Sequence, residues 1–216
     1  MELIDAMRTT GTCRYFSDDP VPDEVLYTAF DAARFGPQGG NRQPVRYVVV
    51  RDPARKKALA DLYLPPWKGY LAAISTGDIN VGALDKTVQA ADDFAENLHK
   101  VPAIIVVCAE VGGLHPTDTE LGRLSVVGGC SIYPTMQNLC LALRDQGVAT
   151  AVTTLLCLSE PAVTELLEIP EGFITAAHIA VGYPAKGFPT KLTRSPVEDI
   201  VHLETFGSPM YASTAG

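Results

Sequence analysis

Two short stretches hold residue types that could do chemistry. The first is Pro37-Gln38-Gly39-Gly40-Asn41-Arg42-Gln43-Pro44. Its glycines let backbone approach a ligand closely, and the amides of Asn41 and Gln43 both donate and accept hydrogen bonds. Such groups suit the heteroatom edge of a flat ring. The same composition also makes a solvated Gly/Pro turn. The second stretch is Arg8-Thr9-Thr10-Gly11-Thr12-Cys13-Arg14-Tyr15-Phe16, with two cations and three hydroxyls in its first seven residues. Hydroxyl, amide and guanidinium together can cradle a phosphate monoester. A solvated connection between helix and loop would look the same. Lys191 and Arg194, just before Pro196, could complete such a clamp or be ordinary surface charge.

Other chemistries find no support. No G-x-G-x-x-G follows a strand, and neither a P-loop nor a G-x-S-x-G elbow occurs. His99, His115, His178 and His202 are scattered without an i, i+4 pair, and the five cysteines show no zinc spacing. His178 falls inside an apolar strand pattern and is expected to be a hydrogen-bonded structural residue. Most of the cysteines read as small buried apolar residues, and the odd count fits a reducing cytoplasm. The net charge of −8 over 216 residues, with no basic block, argues against binding a phosphate polymer. No secretory signal and no apolar run of membrane-spanning length is seen. A phosphate group would have to be held locally, by a few placed cations.

The elements that must position these residues follow from periodicity. Helices are expected over Glu2 to Arg8, from Asp23 to a break at Gly36, from Pro53 to about Tyr63, over Leu84 to His99, from Ile132 to Gly147, and over Glu160 to Leu167. Strands are expected over Arg46 to Arg51, Ala103 to Ala109, Val148 to Leu155 and Ile174 to Val181, the second buried on both faces. Pro65 to Gly82 reads as an irregular functional loop. This order favours an α+β sandwich with helices around a central sheet over a doubly wound fold. Residues 1–207 form a single domain on this reading, and residues 208–216 a tail that is poorly ordered unless it packs on a partner.

Several stretches, taken together and in order, resemble the FMN-dependent nitroreductase family. Arg8 to Phe16 with Asp19-Pro20-Val21-Pro22, and Pro37 to Pro44, look like the family's opening motifs. Ser131 to Leu139 with Ala142 to Gly147 is similar to its long central helix. Thr153-Thr154-Leu155 resembles its flavin-contacting strand. Val181 to Ala185 and Arg194 to Asp199 resemble its closing signatures.

The resemblance implies a three-layer α/β/α sandwich with a mixed, mainly antiparallel sheet, in an intertwined homodimer with FMN at the interface. Thr10, Gly11, Thr12, Cys13 and Arg14 would line the phosphate and ribityl chain. Pro37 and Gln38 would back the ring, and Asn41 and Gln43 would meet its polar edge. Thr153 and Thr154 would approach from the partner chain, and Arg194 would close on the phosphate with Lys191 as helper. The implied reaction is ping-pong: NADH or NADPH reduces the flavin, which then reduces a nitroaromatic, quinone or other electron-poor acceptor. The flavin carries the chemistry, so no catalytic acid or base is named. Flavin-dependent oxidation, reductive dehalogenation and non-catalytic flavin binding are the alternatives.

The chain departs from the family pattern at three places. Gly11 stands where Arg is usual, Gln38 where Ser is usual, and Val45 where Trp is common; Arg8 is the expected substitute for the first. Acceptor specificity is expected from Leu64 to Asp85 and Ala90 to Lys100. There Trp67 and Tyr70 would stack on an aromatic acceptor or form interface core.

Overall fold

A computed structural model of the chain describes residues 1–76, 85–190 and 192–212. Four strands form one sheet in the order β1-β2-β4-β3: β1 Val45–Val50, β2 Ala103–Glu110, β3 Ala149–Thr153 and β4 Phe173–Gly182. Every described pairing is antiparallel, with no parallel component. β2 lies between β1 and β4, and its residues Ala103 to Ala109 are all buried. Its apolar run is therefore continuous because alternate side chains enter opposite cores. Ile104 and Val106 meet α3 (Pro53–Thr76), while Ile105 and Val107 meet α2 (Asp23–Ala33) and α5 (Tyr133–Asp145). Each such aliphatic side chain contributes about 1.5–3 kcal/mol of burial free energy. Helices on both faces of the sheet give the α/β/α sandwich.

The remaining helices are α1 (Leu3–Thr9), α4 (Asp85–Glu96), α6 (Glu160–Leu166) and α7 (Val197–Ile200). Pro134 sits in the first turn of α5, where its missing N–H costs nothing. Gly36, just past α2, allows a close crossing. A Cβ there would lie 2.7 Å from the backbone of Thr135 in α5.

The structure corrects the expected loop after Tyr63. α3 continues unbroken through Pro65 and Pro66 to Thr76, and residues 77–82 of the expected loop lie outside the described residues. A proline inside a helix normally orphans the carbonyl four residues back. Here the Leu62 carbonyl freed by Pro66 accepts from the Ser159 hydroxyl at 3.1 Å. Trp67 then locks the next turn into the core beside Tyr63. Tertiary partners replace what the local sequence removes.

His202 bridges Pro209, and the Met210 N–H donates to the Val201 carbonyl. No helix among the described residues is long and apolar enough to cross a membrane.

Candidate functional site

α5 separates the two motifs. At its C-terminal end Arg144 donates to the Thr9 hydroxyl and Asp145 binds the Met1 amine. Just before its N-terminal end the Ser131 hydroxyl accepts the Gly39 N–H at 3.0 Å. Thirteen helical residues span about 20 Å. The basic segment and the amide-rich loop of one chain therefore lie a helix length apart. Strand register gives the same result: the amide loop enters β1 at the end of the sheet marked by Glu110, while Cys13 and Phe16 lie at the end marked by Thr150 and Pro184.

The basic segment leaves α1 with its first two hydroxyls turned back on the helix: Thr9 donates to the Asp5 carbonyl and Thr10 to the Ala6 carbonyl. Each oxygen can still accept a hydrogen bond. The Cys13 N–H then joins the edge strand β3 at the Thr150 carbonyl, and the Cys13 thiol reaches the Gly187 carbonyl. Gly11 is explained by packing. A Cβ there would lie 2.9 Å from both Pro189 and Leu192. Position 11 thus accommodates the returning C-terminal segment. That segment brings Arg194 to Arg8, and the two line one cleft of about 540 Å³ with Thr9, Thr190, Leu192 and the opposing Asp5. Lys191 lies outside the described residues. Thr12 is exposed.

Arg14 is half-buried and belongs to a second neighbourhood. Burial raises the Tyr63 phenol above its ordinary pKa, opposed by the Thr153 hydroxyl and by the Arg14 charge. Arg14 and Thr153 thus converge on one tyrosine within a single chain.

The amide loop is held in an unusual backbone. Gly40, Asn41 and Gln43 have φ of 60°, 53° and 53°, so two non-glycine residues are left-handed. Such conformations are held only where surroundings enforce them, and they cluster at functional sites. Here Arg46 clamps the Gln43 and Val45 carbonyls, and the Gln43 amide donates to the Asn41 side chain at 3.2 Å. The Gln38 amide nitrogen donates to the Arg34 carbonyl, while its Oε1 is buried without a partner. Pro37, Gln38, Gly39 and Arg42 line a cleft of about 320 Å³ against Leu114 and His115.

Thr154, exposed past the end of β3, opens on a cavity of about 560 Å³ that includes Val126, Gly129, Tyr133 and Cys157. Its wall is tied by Asp118, which is only 3% exposed. Asp118 accepts from Ser125 Oγ at 2.7 Å, the Val126 N–H at 2.9 Å, Arg123 at 2.8 Å and the Val127 N–H at 3.4 Å. The Ser125 hydroxyl foremost, then the Val126 amide, hold its carboxyl down at about 2. Asp118→Ala frees Arg123 and both amides. Tryptic cleavage after Arg123 is expected to rise about tenfold or more, with little change in core melting. Equal cleavage of both proteins would show that something else fixes the segment.

Trp67 requires a further correction. Its ring is 7% exposed, lies 6.5 Å from Tyr63 and 5.7 Å from Tyr70, and donates its N–H to Asp92. It is core of its own chain, with its polar handle already used. Tyr70 beside it is half-buried. His178 is buried in β4 as expected, yet neither ring nitrogen has a hydrogen-bond partner. Three of the five cysteines are buried; Cys157 is half-buried and Cys130 exposed, and all are free. Sequence reasoning missed Tyr63 and Arg144, whose partners are distant in the chain, and Asp118, whose partners lie five to nine residues on in an irregular loop.

A sandwich of this order has counterparts among solved structures. A crystal structure of oxidized iodotyrosine deiodinase bound to FMN and 3-iodo-L-tyrosine superimposes with TM-score 0.74 at 23% identity, covering 95% of this chain and 100% of the other. The NADPH:FMN oxidoreductase from Vibrio harveyi complexed with NAD+ gives TM-score 0.68 at 19% identity, covering 94% and 77%. The Nitroreductase family model matches residues 7–183, and the chain belongs to that family. Among curated relatives, an iodotyrosine deiodinase from Nematostella vectensis is 26% identical over 94% of this chain and 75% of its own length. An NADH dehydrogenase from Thermus thermophilus is 28% identical over 87% and 89%.

Proposed function

We propose that the chain is an FMN-dependent oxidoreductase working as a homodimer, passing electrons from NADH or NADPH to an electron-poor organic acceptor. The observation that carries this reading is the convergence of Arg8 and Arg194, from opposite ends of the sequence, on one cleft. In a chain of net charge −8, two arginines on one cleft fit a phosphate monoester. The unpartnered Gln38 Oε1 and the left-handed Asn41 and Gln43 fit a flat heteroaromatic edge. Bound flavin supplies two-electron chemistry by accepting and returning a hydride.

The protein's part is to bind and orient. Arg8, Arg14 and Arg194, with the Thr12 hydroxyl, hold the phosphate end; the Thr10 oxygen and the carbonyls of Gly11 and Cys13, whose protons are already donated within the chain, accept from the ribityl hydroxyls, and Lys191 is a helper. Thr153 and Thr154 border the ring on the same protomer as Arg14. Pro37, Gln38, Asn41 and Gln43 of the partner subunit back the ring and meet its polar edge, where amide N–H groups stabilise negative charge. Tyr70 faces the acceptor side, and Trp67 supports it from the core.

Two observations support the dimer. The motifs sit a helix length apart in one chain, beyond the reach of one compact site. Apolar side chains also stand uncovered near both termini, among them Leu3, Ile4, Ile200, Leu203 and Phe206, the last 96% exposed. Surfaces of that kind mark interfaces. The free cysteines fit a reducing cytoplasm.

The test is the absorbance of the purified protein. A yellow dimer that bleaches anaerobically with NADH or NADPH, and recolours on adding a quinone or nitroaromatic, is expected. A colourless protein that takes up no added FMN would overturn the reading. A second reading, reductive dehalogenation, is favoured by the likeness to the deiodinases. Iodide release from 3-iodo-L-tyrosine by the dithionite-reduced protein, without bleaching by either nicotinamide, would select it.

A further inference from the structure

Among the described residues, Arg144 is a cation without a counterion. It projects from the last turn of α5, and among the described residues its side chain makes one hydrogen bond, a long one of 3.3 Å, to the Thr9 hydroxyl. Its guanidinium carbon lies 3.6 Å from the centre of the Phe188 ring, and its Nε is buried without a partner. Among the described residues no carboxylate lies within ion-pairing distance of it. Neighbouring Asp145 is already engaged by the Met1 amine at 2.6 Å. Several other arginines are paired: Arg34 with Asp31, Arg51 with Asp23, Arg55 with Glu168 and Arg123 with Asp118. An unpaired, half-buried guanidinium in a chain with an excess of carboxylates needs a reason.

Its surroundings supply one. Thr9, which it contacts, lines the Arg8 and Arg194 cleft. Its positive field reaches Cys13, where it opposes the rise that burial imposes on the thiol. Gly11 lies between Thr9 and Cys13, and a side chain there would have to displace the Pro189 ring and a Leu192 methyl, each 2.9 Å from a Cβ. Phe188, on which Arg144 stacks, belongs to the same returning segment. The segment that closes position 11 is thus the one that holds Arg144 beneath the loop.

We propose that Arg144 supplies, from beneath the Thr9 to Cys13 loop, the positive charge that Gly11 cannot give, and that it tunes the site for a phosphate monoester. This rests on the FMN reading above. Arg144 is a positioning and electrostatic residue: it acts through Thr9 and through its field, which partial burial screens less than it would an exposed charge. Asp5, one turn before Arg8 on α1, lines the same cleft and offsets part of its positive charge.

The test is a titration of apo-protein with FMN and with riboflavin, which lacks the phosphate, followed by quenching of flavin fluorescence. Arg144→Met is expected to weaken FMN binding by about tenfold while leaving riboflavin unchanged. Arg144→Lys keeps most of the FMN affinity, and the salt dependence of FMN binding falls in the Met variant. Unchanged FMN affinity in Arg144→Met would overturn the proposal. Equal losses for FMN and riboflavin would overturn it too, by showing a merely structural role through Phe188. If the Met variant does not fold, Arg144→Gln, which keeps a donor but not the charge, must show the selective loss of FMN; wild-type affinity there overturns the proposal. A wild-type protein that binds neither flavin would instead overturn the FMN reading, so the two failures are distinct.

Discussion

Replacing Arg14 and Arg194 together by Met is expected to weaken FMN binding by a factor of about 10²–10⁴. Each charge-assisted hydrogen bond to a phosphate contributes about 1.5–3 kcal/mol, and the two arginines approach from different segments of the chain. The single substitutions should be unequal. Arg14 is half-buried and Arg194 exposed, so solvent screening discounts the second more strongly. Riboflavin binding should change far less, because the lost contacts are to the phosphate. Arg14→Met has an independent signature as well: with its guanidinium gone, the Tyr63 phenol should titrate at still higher pH. An FMN affinity that survives the double substitution within threefold would remove these residues from the phosphate site. Phosphate recognition would then rest on Arg8 and Arg144.

The second large effect concerns acid stability. His178 is 1% exposed in β4, opposite Val106 of β2 and Thr153 of β3, with no partner for either ring nitrogen. Burial lowers its pKa to about 4. In the unfolded chain the ring takes a proton near pH 6.5, while in the folded protein it resists until pH 4. Between these values the unfolded state binds more protons, so stability falls as pH drops. The full cost is about 3 kcal/mol, with about 2 kcal/mol of it reached by pH 5. His178→Leu keeps a side chain of similar size and removes both the titration and the unsatisfied nitrogens. Urea unfolding at pH 7 and pH 5 should show the wild type losing about 2 kcal/mol more than the variant. At pH 7 the variant should be at least as stable, since an apolar group replaces an unsatisfied polar one. Equal pH dependence in the two proteins would mean that the buried imidazole has a partner in solution.

Most of the fold was legible in the chain because it is written in local periodicity. The apolar residues on both faces of Val45–Val50, the unbroken apolar run of Ala103 to Ala109 and the stripe of Ile132, Leu139 and Leu143 each mark an element. Local signals failed at Pro65-Pro66, which read as a break. The Ser159 hydroxyl that accommodates Pro66 lies 97 positions from Leu62, the residue whose carbonyl it satisfies. They also failed at His178, where a buried ring was expected to carry its own hydrogen bond.

The candidate site divides along the same line. Sequence alone determined which residues could do the chemistry: the hydroxyls and cations of Arg8 to Arg14, the amides of Asn41 and Gln43, and the acidic balance that confines phosphate recognition to a few cations. Only the tertiary structure decided how they are used. It filled the space at Gly11 with Pro189 and Leu192, brought Arg194 to Arg8, left Arg144 unpaired beneath them, and set the amide loop at the far end of α5. Residue type and spacing are properties of one stretch of chain. The close approach at Gly11, the Arg8 and Arg194 cleft, the Arg144 contact and the Gly39–Ser131 hydrogen bond join segments 92 or more residues apart, and no local pattern encodes them.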